Sequence, residues 1–332
     1  MPQFKDIIGH EKIINHFQTA MKRGQVSHAY ILEGEMGSGK KMLAQAFAQA
    51  LECEEETGES CNVCHSCMMA GSGNHPDIIW VTHEKPNTIS VADIRSQVNG
   101  DISIKPYSGK YKIYIIDQAE KMNEQAQNAL LKTIEEPPSY AVILLLASQT
   151  GSFLPTILSR CITLSLKPVK EERIKEYILT HTCLTKEEAD FCAGYSMGNL
   201  GKAMELATNE TRIEMKKSCT GLLSKIHQME IYQVIGYLKE LSDYKEDIME
   251  FIDMMLVWFH DILIIKTTKS DKRIVFKEEF PIMSRIADHM TYEGLQNILC
   301  AFDKTKLRLR ANVNFDVALE LLLLLIKENI LW

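Results

Sequence analysis

The sequence predicts an α/β chain, with an open parallel sheet in its first half and helices alone in its second. Three observations carry this. Five short apolar runs alternate with helix-like segments from Ala29 to Leu166. A glycine-rich turn ending in lysine joins the first run to the next helical segment. After about Lys167 the strand signal stops.

The runs are Ala29 to Leu32, Ile78 to Val81, Ile113 to Ile116, Val142 to Leu146 and Ile162 to Leu166. All five are read as strands covered on both faces, the first four being continuously apolar and the fifth carrying Thr163 and Ser165. Lys40 to Leu51, Val91 to Asn99 and Glu120 to Glu135 read as the intervening helices, a βαβ alternation. Glu171 to Leu179 reads as helix, and Thr185-Lys-Glu-Glu188 is a capping box opening another. Gly198 and Gly201 interrupt the chain before a third short helix near Lys202 to Ala207. From about Glu210 the pattern is helical. Ile231, Val234, Ile235, Leu238 and Leu241 keep one face apolar, as do Val317, Leu321, Leu324 and Leu325. Lys266 to Glu279 is charged and aperiodic and reads as a loop. Three domains are expected, at 1–167, 168–208 and 209–332.

A chain of 332 residues, 45% apolar and 24% charged, has the balance of a globular protein of two or three domains. Its net charge of −7 argues against a surface that grips DNA throughout, so any nucleic-acid contact is local or made through partners. No basic start followed by an apolar run opens the chain. The apolar stretches Leu321 to Ile326 and Met254 to Ile265 fall short of the ~18 uninterrupted residues of a membrane span. A cytoplasmic protein with no membrane contact is expected.

Gly34-Glu-Met-Gly37-Ser-Gly39-Lys40-Lys41 follows a strand and precedes a helix, which is the setting of a P-loop. Its glycines let backbone N–H groups turn toward phosphates, and Lys40 is placed to reach the terminal ones. The next position needs a Ser or Thr hydroxyl for Mg²⁺, and here it is Lys41. The strand Ile113 to Ile116 ends in Asp117, a carboxylate delivered to the metal side of such a site. Gln118 follows it, a neutral amide that cannot act as a base. Two departures in one site argue against ordinary ATP and Mg²⁺ use.

Four of the nine cysteines fall in Cys53-x7-Cys61-x2-Cys64-x2-Cys67. Overlapping CxxC steps with a fourth cysteine close a tetrahedral site with no open position, so a structural zinc is expected. His65 and His75 are nearby but superfluous. The other five cysteines read as buried small apolar residues.

These motifs resemble the AAA+ clamp-loader subunits of bacterial DNA polymerase III over essentially the whole chain. Phe4-Lys-Asp-Ile-Ile-Gly9-His10 resembles the segment bordering the family's adenine pocket. Ser27-His-Ala-Tyr30, Asn128-Ala-Leu-Leu-Lys-Thr-Ile-Glu-Glu-Pro-Pro138 and Ser159-Arg160-Cys161 carry the likeness further. The four-cysteine insertion is shared by the family's gamma/tau and delta-prime types. Lys41, Gln118, Pro106, Asn74-His75-Pro76-Asp77 and an end at Trp332 without a long tail are closer to the delta-prime type.

The resemblance implies a P-loop, RecA-like AAA+ domain with a four-cysteine zinc module, a small helical lid and an all-α collar. It implies a hetero-pentameric ring with gamma/tau and delta subunits, acting on a sliding clamp and primer–template DNA. Arg160 would be an arginine finger supplied in trans to a neighbouring ATPase subunit, and little or no ATPase activity would belong to this chain. Lys202 falls in the family's sensor-2 region and Ser148 near sensor 1. The alternative is an active gamma/tau-type ATPase, which predicts turnover by this chain.

Overall fold

The computed structural model describes residues 2–83 and 85–330. The outer limits of the expected first and last domains, Met1 and Trp332, lie outside the described residues. The chain divides into two compact units, one of Met1–Arg173 with Gly198–Lys202 and one of Ile174–Met197 with Ala203–Trp332. The stretch expected as a lid is therefore shared between them.

The first unit contains α1 (Glu11–Lys22), β1 (Ala29–Glu33), α2 (Lys40–Leu51), α3 (His65–Gly71), β2 (Ile78–Val81), α4 (Val91–Ile94), β3 (Lys112–Ile116), α5 (Glu124–Glu135), β4 (Ala141–Ala147), α6 (Pro155–Leu158) and β5 (Ile162–Ser165). All strand pairs are parallel, in the order β2-β3-β4-β1-β5. Tyr30 of β1 pairs with Leu144 on one side and Ile162 on the other.

Alternation along the central strands builds two cores. Ile31, Tyr114, Ile116, Ile143 and Leu145 pack with Leu130 and Ile134 of α5 on one face. Tyr30, Leu32, Ile113, Ile115 and Leu144 pack with Phe17 and Phe47 on the other. The rings of Phe17 and Phe47 stack with centroids 3.8 Å apart. Every residue of β4 is buried because both of its faces are covered. The last strand differs from expectation: Ile162 is 37% exposed, since β5 is an edge strand with one neighbour.

One helix is shorter than its sequence pattern, and another changes its winding. Residues 119–121 form a 3₁₀ turn, and α5 begins only after Asn123, whose Oδ1 accepts from Ala126 N–H at 2.8 Å. Backbone bonds of Ile89 to Lys121 and Asn123 pull this segment out of helical geometry. After Ile94, α4 continues as a single π turn to Asn99, closed by Gly100 N–H on Arg95 C=O at 2.9 Å.

The second unit is helical. α7 (Glu171–His181) begins in the first unit and ends in the second. α8 (Lys186–Tyr195) starts with the expected capping box between Thr185 and Glu188. α9 (Leu200–Thr208), whose first three residues belong to the first unit, is followed by α10 (Glu210–Lys225), α11 (Ile231–Leu241), α12 (Ile248–Thr268), α13 (Phe280–His289), α14 (Tyr292–Arg310) and α15 (Phe315–Asn329). α12 is buried on most of its circumference and packs against α10, α13 and α14 around Trp258, Phe259 and Phe302. The segment expected as a loop over 266–279 is partly helical, because α12 runs on to Thr268. The remainder is anchored. Ile274 and Phe276 are buried, and Asp261 Oδ2 accepts from Val275 and Phe276 N–H at 2.7 and 2.9 Å. Among the described residues no helix is long and apolar enough to cross a membrane.

Candidate functional site

The glycine-rich turn emerges from the carboxyl end of β1, between β4 and β5, where parallel sheets place their ligand sites. Gly34 N–H continues the ladder onto Ala147 C=O at 3.0 Å. Gly37 and Gly39 have φ of +84° and +97°, which side-chain-bearing residues rarely adopt, and Gly39 caps α2. The backbone is thus that of a phosphate-binding loop. Its lysine is otherwise engaged. Lys40 Nζ donates to the carbonyls of Gly34 and Glu35, the latter at 2.8 Å. Burial lowers the Lys40 pKa, opposed by the carboxylates of Glu120 and Asp117.

Lys41 Nζ lies 2.7 Å from Asp117 Oδ2. Asp117 follows β3, so the helix and the strand that would share a metal instead share an ion pair. An oxygen-poor site with an ammonium already on its carboxylate does not fit Mg²⁺, which requires near-octahedral oxygen ligation. Gln118 stands in the left-handed region with φ +51° and turns the chain into the 3₁₀ segment. Ser148 Oγ donates to Glu120 Oε1 at 2.6 Å, tying the end of β4 to that segment.

The Gly198–Lys202 segment closes on the loop. Asn199 Nδ2 donates to Met36 C=O at 2.7 Å, and Gly201 N–H donates to Gly37 C=O at 3.0 Å. A Cβ on Gly201 would lie 2.5 Å from that carbonyl oxygen. Lys202 contributes its N–H to Asn199 Oδ1 at 3.1 Å. Sequence reasoning read Gly201 only as a break in the chain and did not single out Asn199 or Glu120. The only available signal was the spacing Gly-Asn-Leu-Gly, which does not say what the segment touches.

His10, at φ +60°, places Nε2 3.1 Å from Ser38 C=O. Gly9 and His10 border a cavity of about 440 Å³ with Ile13, Ser165, Pro168 and Val169. This is the segment assigned above to an adenine pocket.

Of the five scattered cysteines, Cys192 and Cys219 are buried as expected, whereas Cys183 and Cys300 are exposed. The four clustered cysteines converge, with their sulfurs all within 4.8 Å of one another. Cys53 lies just past α2, Cys61 and Cys64 on the following loop, and Cys67 inside α3. Backbone N–H groups of Cys61, Cys64 and Cys67 point at the sulfurs of Cys53, Cys61 and Cys64, at 3.4, 3.3 and 3.3 Å. Such donors stabilise thiolates. Burial acts the other way on the Cys67 thiol, pushing it up to about 12. A cation resolves the conflict, because a coordinated thiol is deprotonated. Tetrahedral zinc sets its sulfurs about 3.8 Å apart (Zn–S ~2.3 Å), so these residues fit it with slight contraction. His75 is no ligand: its ring meets Ser66 Oγ at 3.0 Å and accepts from Asp77 N–H at 3.2 Å. Asp77 in turn accepts from the N–H groups of Tyr107, Ser108 and Gly109, which explains the Asn-His-Pro-Asp stretch as a loop anchor.

Arg160 follows α6 on the surface of the first unit, its side chain 39% exposed. Nη2 lies 3.0 Å from Glu135 Oε1, and Nη1 donates to Thr156 C=O at 3.1 Å. Among the described residues no hydrogen bond or ion pair joins it to Lys41 or Asp117.

Comparison with known proteins bears on the family and the fold. The family model described as "DNA polymerase III, delta subunit" matches residues 9–170, and its C-terminal counterpart matches residues 215–328. The DNA polymerase III subunit delta' of Bacillus subtilis is 28% identical over 96% of both chains. The tau subunit of the same organism is also 28% identical, over 95% of this chain, which spans 60% of tau's length. A gamma subunit-related protein of Thermotoga maritima shares the fold, with a TM-score of 0.51 at 18% identity, covering 95% of this chain and 99% of its own.

Proposed function

Because the chain belongs to the DNA polymerase III delta-subunit family of AAA+ clamp-loader proteins, we propose that it is a delta-prime-type stator subunit. It takes its place in a hetero-pentameric ring with gamma/tau and delta subunits in the bacterial cytoplasm. There it helps to load the sliding clamp onto primer–template DNA. Its own nucleotide site does not turn over, and Arg160 reaches the ATP of a neighbouring ATPase subunit.

The observation that carries this reading is the Lys41–Asp117 pair, which answers the metal position from within. Gln118 removes the second requirement, a carboxylate to polarise water. Lys40, committed to loop carbonyls, helps to keep the glycine-rich turn in place without a ligand. These features disfavour the alternative of an active gamma/tau-type motor. The four-cysteine module holds zinc as a structural staple on the first unit.

The helical region supplies the ring contact in this reading. α11 and α15 pack together, and Ile231, Ile235, Val317 and Leu321 remain exposed on them at i, i+4 spacing. The occupant we assign to this face is the collar of a neighbouring clamp-loader subunit.

The test is Arg160→Ala in the assembled complex. Arginine fingers contribute ~10³ or more to the rate of the site they serve, so turnover there and clamp loading should collapse while assembly is kept. Normal clamp loading by the variant complex would remove the proposed role.

A further inference from the structure

We propose that Glu135 is a positioning residue for Arg160, holding its guanidinium in the orientation in which it meets a neighbour's phosphate. This rests on the trans-acting role proposed for Arg160.

The geometry is a three-point hold. A guanidinium carries five N–H donors in a rigid plane. Nη1 donates to Thr156 C=O at 3.1 Å and Ser159 Oγ at 3.2 Å, and Nη2 meets Glu135 Oε1 at 3.0 Å. That leaves Nε–H and one Nη2–H outside these bonds. Thr156 and Ser159 sit on and just past α6, whereas Glu135 closes α5, so the plane is fixed from two elements at once. Ser159 and Thr156 alone fix one nitrogen and leave the plane free to swing about it. Glu135 supplies the second nitrogen and with it the direction.

Glu135 is poorly placed for a local purpose. It is the last residue of α5, where a carboxylate opposes the helix dipole. Its side chain is 44% exposed and is not part of the core. Arg160 is the cation that answers it. An exposed pair of this kind adds little to stability, so the value of the contact lies in orientation. Preorganising a flexible side chain lowers the ordering cost when the phosphate arrives, and displacement by about 1 Å can cost up to ~10² in rate.

The experiment uses the complete reconstituted complex, with the other nucleotide sites silenced by substitution of their P-loop lysines. Steady-state ATP turnover is compared for the parent, Glu135→Ala, Glu135→Gln and Arg160→Ala, and assembly is checked by gel filtration. Glu135→Ala should lower kcat about tenfold with little change in KM. Glu135→Gln should restore most of the loss, because its amide oxygen still accepts from Nη2. If Glu135→Ala does not assemble, Glu135→Lys replaces it, and like charge should lower kcat at least as far. Parental kcat in the Ala or Lys variant, beside a strong loss in Arg160→Ala, overturns the inference and leaves the trans-acting role standing. Equal loss in Ala and Gln variants also overturns it. Parental turnover in Arg160→Ala removes both.

Discussion

Lys41 Nζ and Asp117 Oδ2 stand 2.7 Å apart, bridging the first residues of α2 and the end of β3. On the function proposed above, the Lys41 ammonium occupies the carboxylate that a metal would need. The Lys41 side chain is 66% exposed, so the pair contributes only about 0–1 kcal/mol to stability, and its consequence is chemical.

Lys41→Thr should free Asp117 and supply a hydroxyl. Thermal unfolding with ATP, in Mg²⁺ and in EDTA, should then show Mg²⁺-dependent stabilisation for the variant and none for the parent. Turnover should stay at background in both, because Gln118 is unchanged. ATP hydrolysis by the purified parent above a Lys40→Ala control would defeat this reading and make the chain a working ATPase.

The four cysteines should carry one zinc ion per chain. Cys64→Ser, which also removes the sulfur that accepts from Cys67 N–H, should abolish bound zinc by elemental analysis. It should open the 53–71 segment to protease and lower the melting temperature, since structural zinc supplies folding energy directly. A zinc-free parent that resists protease equally well would count against the assignment.

Gly201→Ala should destabilise the first unit by about 1–3 kcal/mol in denaturant titrations. Its Cβ would meet the Gly37 backbone at 2.5 Å, and a backbone neighbour cannot turn aside as a side chain can. An unchanged unfolding midpoint would mean that the segment does not rest on the loop as described.

Asp261 is fully buried, and burial raises its pKa to about 6 against the two N–H groups it accepts. A carboxyl raised in the folded state binds more protons there than when unfolded. Its contribution is therefore complete below pH ~4 and lost as pH rises through 6, roughly 3 kcal/mol in all. Asp261→Asn keeps an oxygen for Val275 and Phe276. It should flatten that slope and stabilise the chain at pH 7. A stability profile for the variant parallel to that of the parent would exclude this account.

Much of the fold was legible because its signals are local. Ala29 to Leu32 and Val142 to Leu146 are apolar without a break, short, and set between helical patterns, which is how strands covered on both faces read. Thr185 and Glu188 announce their helix by a bond spanning three residues. The start of α5 was misread for the opposite reason. Glu120 to Met122 suit a helix, and the distant Ile89 claims their backbone. The loop expected over 266–279 is found over 269–276, and its first three residues differ because α12 runs on to Thr268.

By itself the sequence determined the P-loop with its altered Lys41 and Gln118, the four-cysteine cluster, and the change from alternating strands to helices. Each of these is written in residues near one another along the chain. Only the tertiary structure decided that Lys41 meets Asp117, that Gly201 rests on Gly37, and that Glu135 meets Arg160. These pairs join residues far apart along the chain, and their distances are set by how strands and helices stack. No periodicity or spacing encodes such a distance, because it is a property of packing.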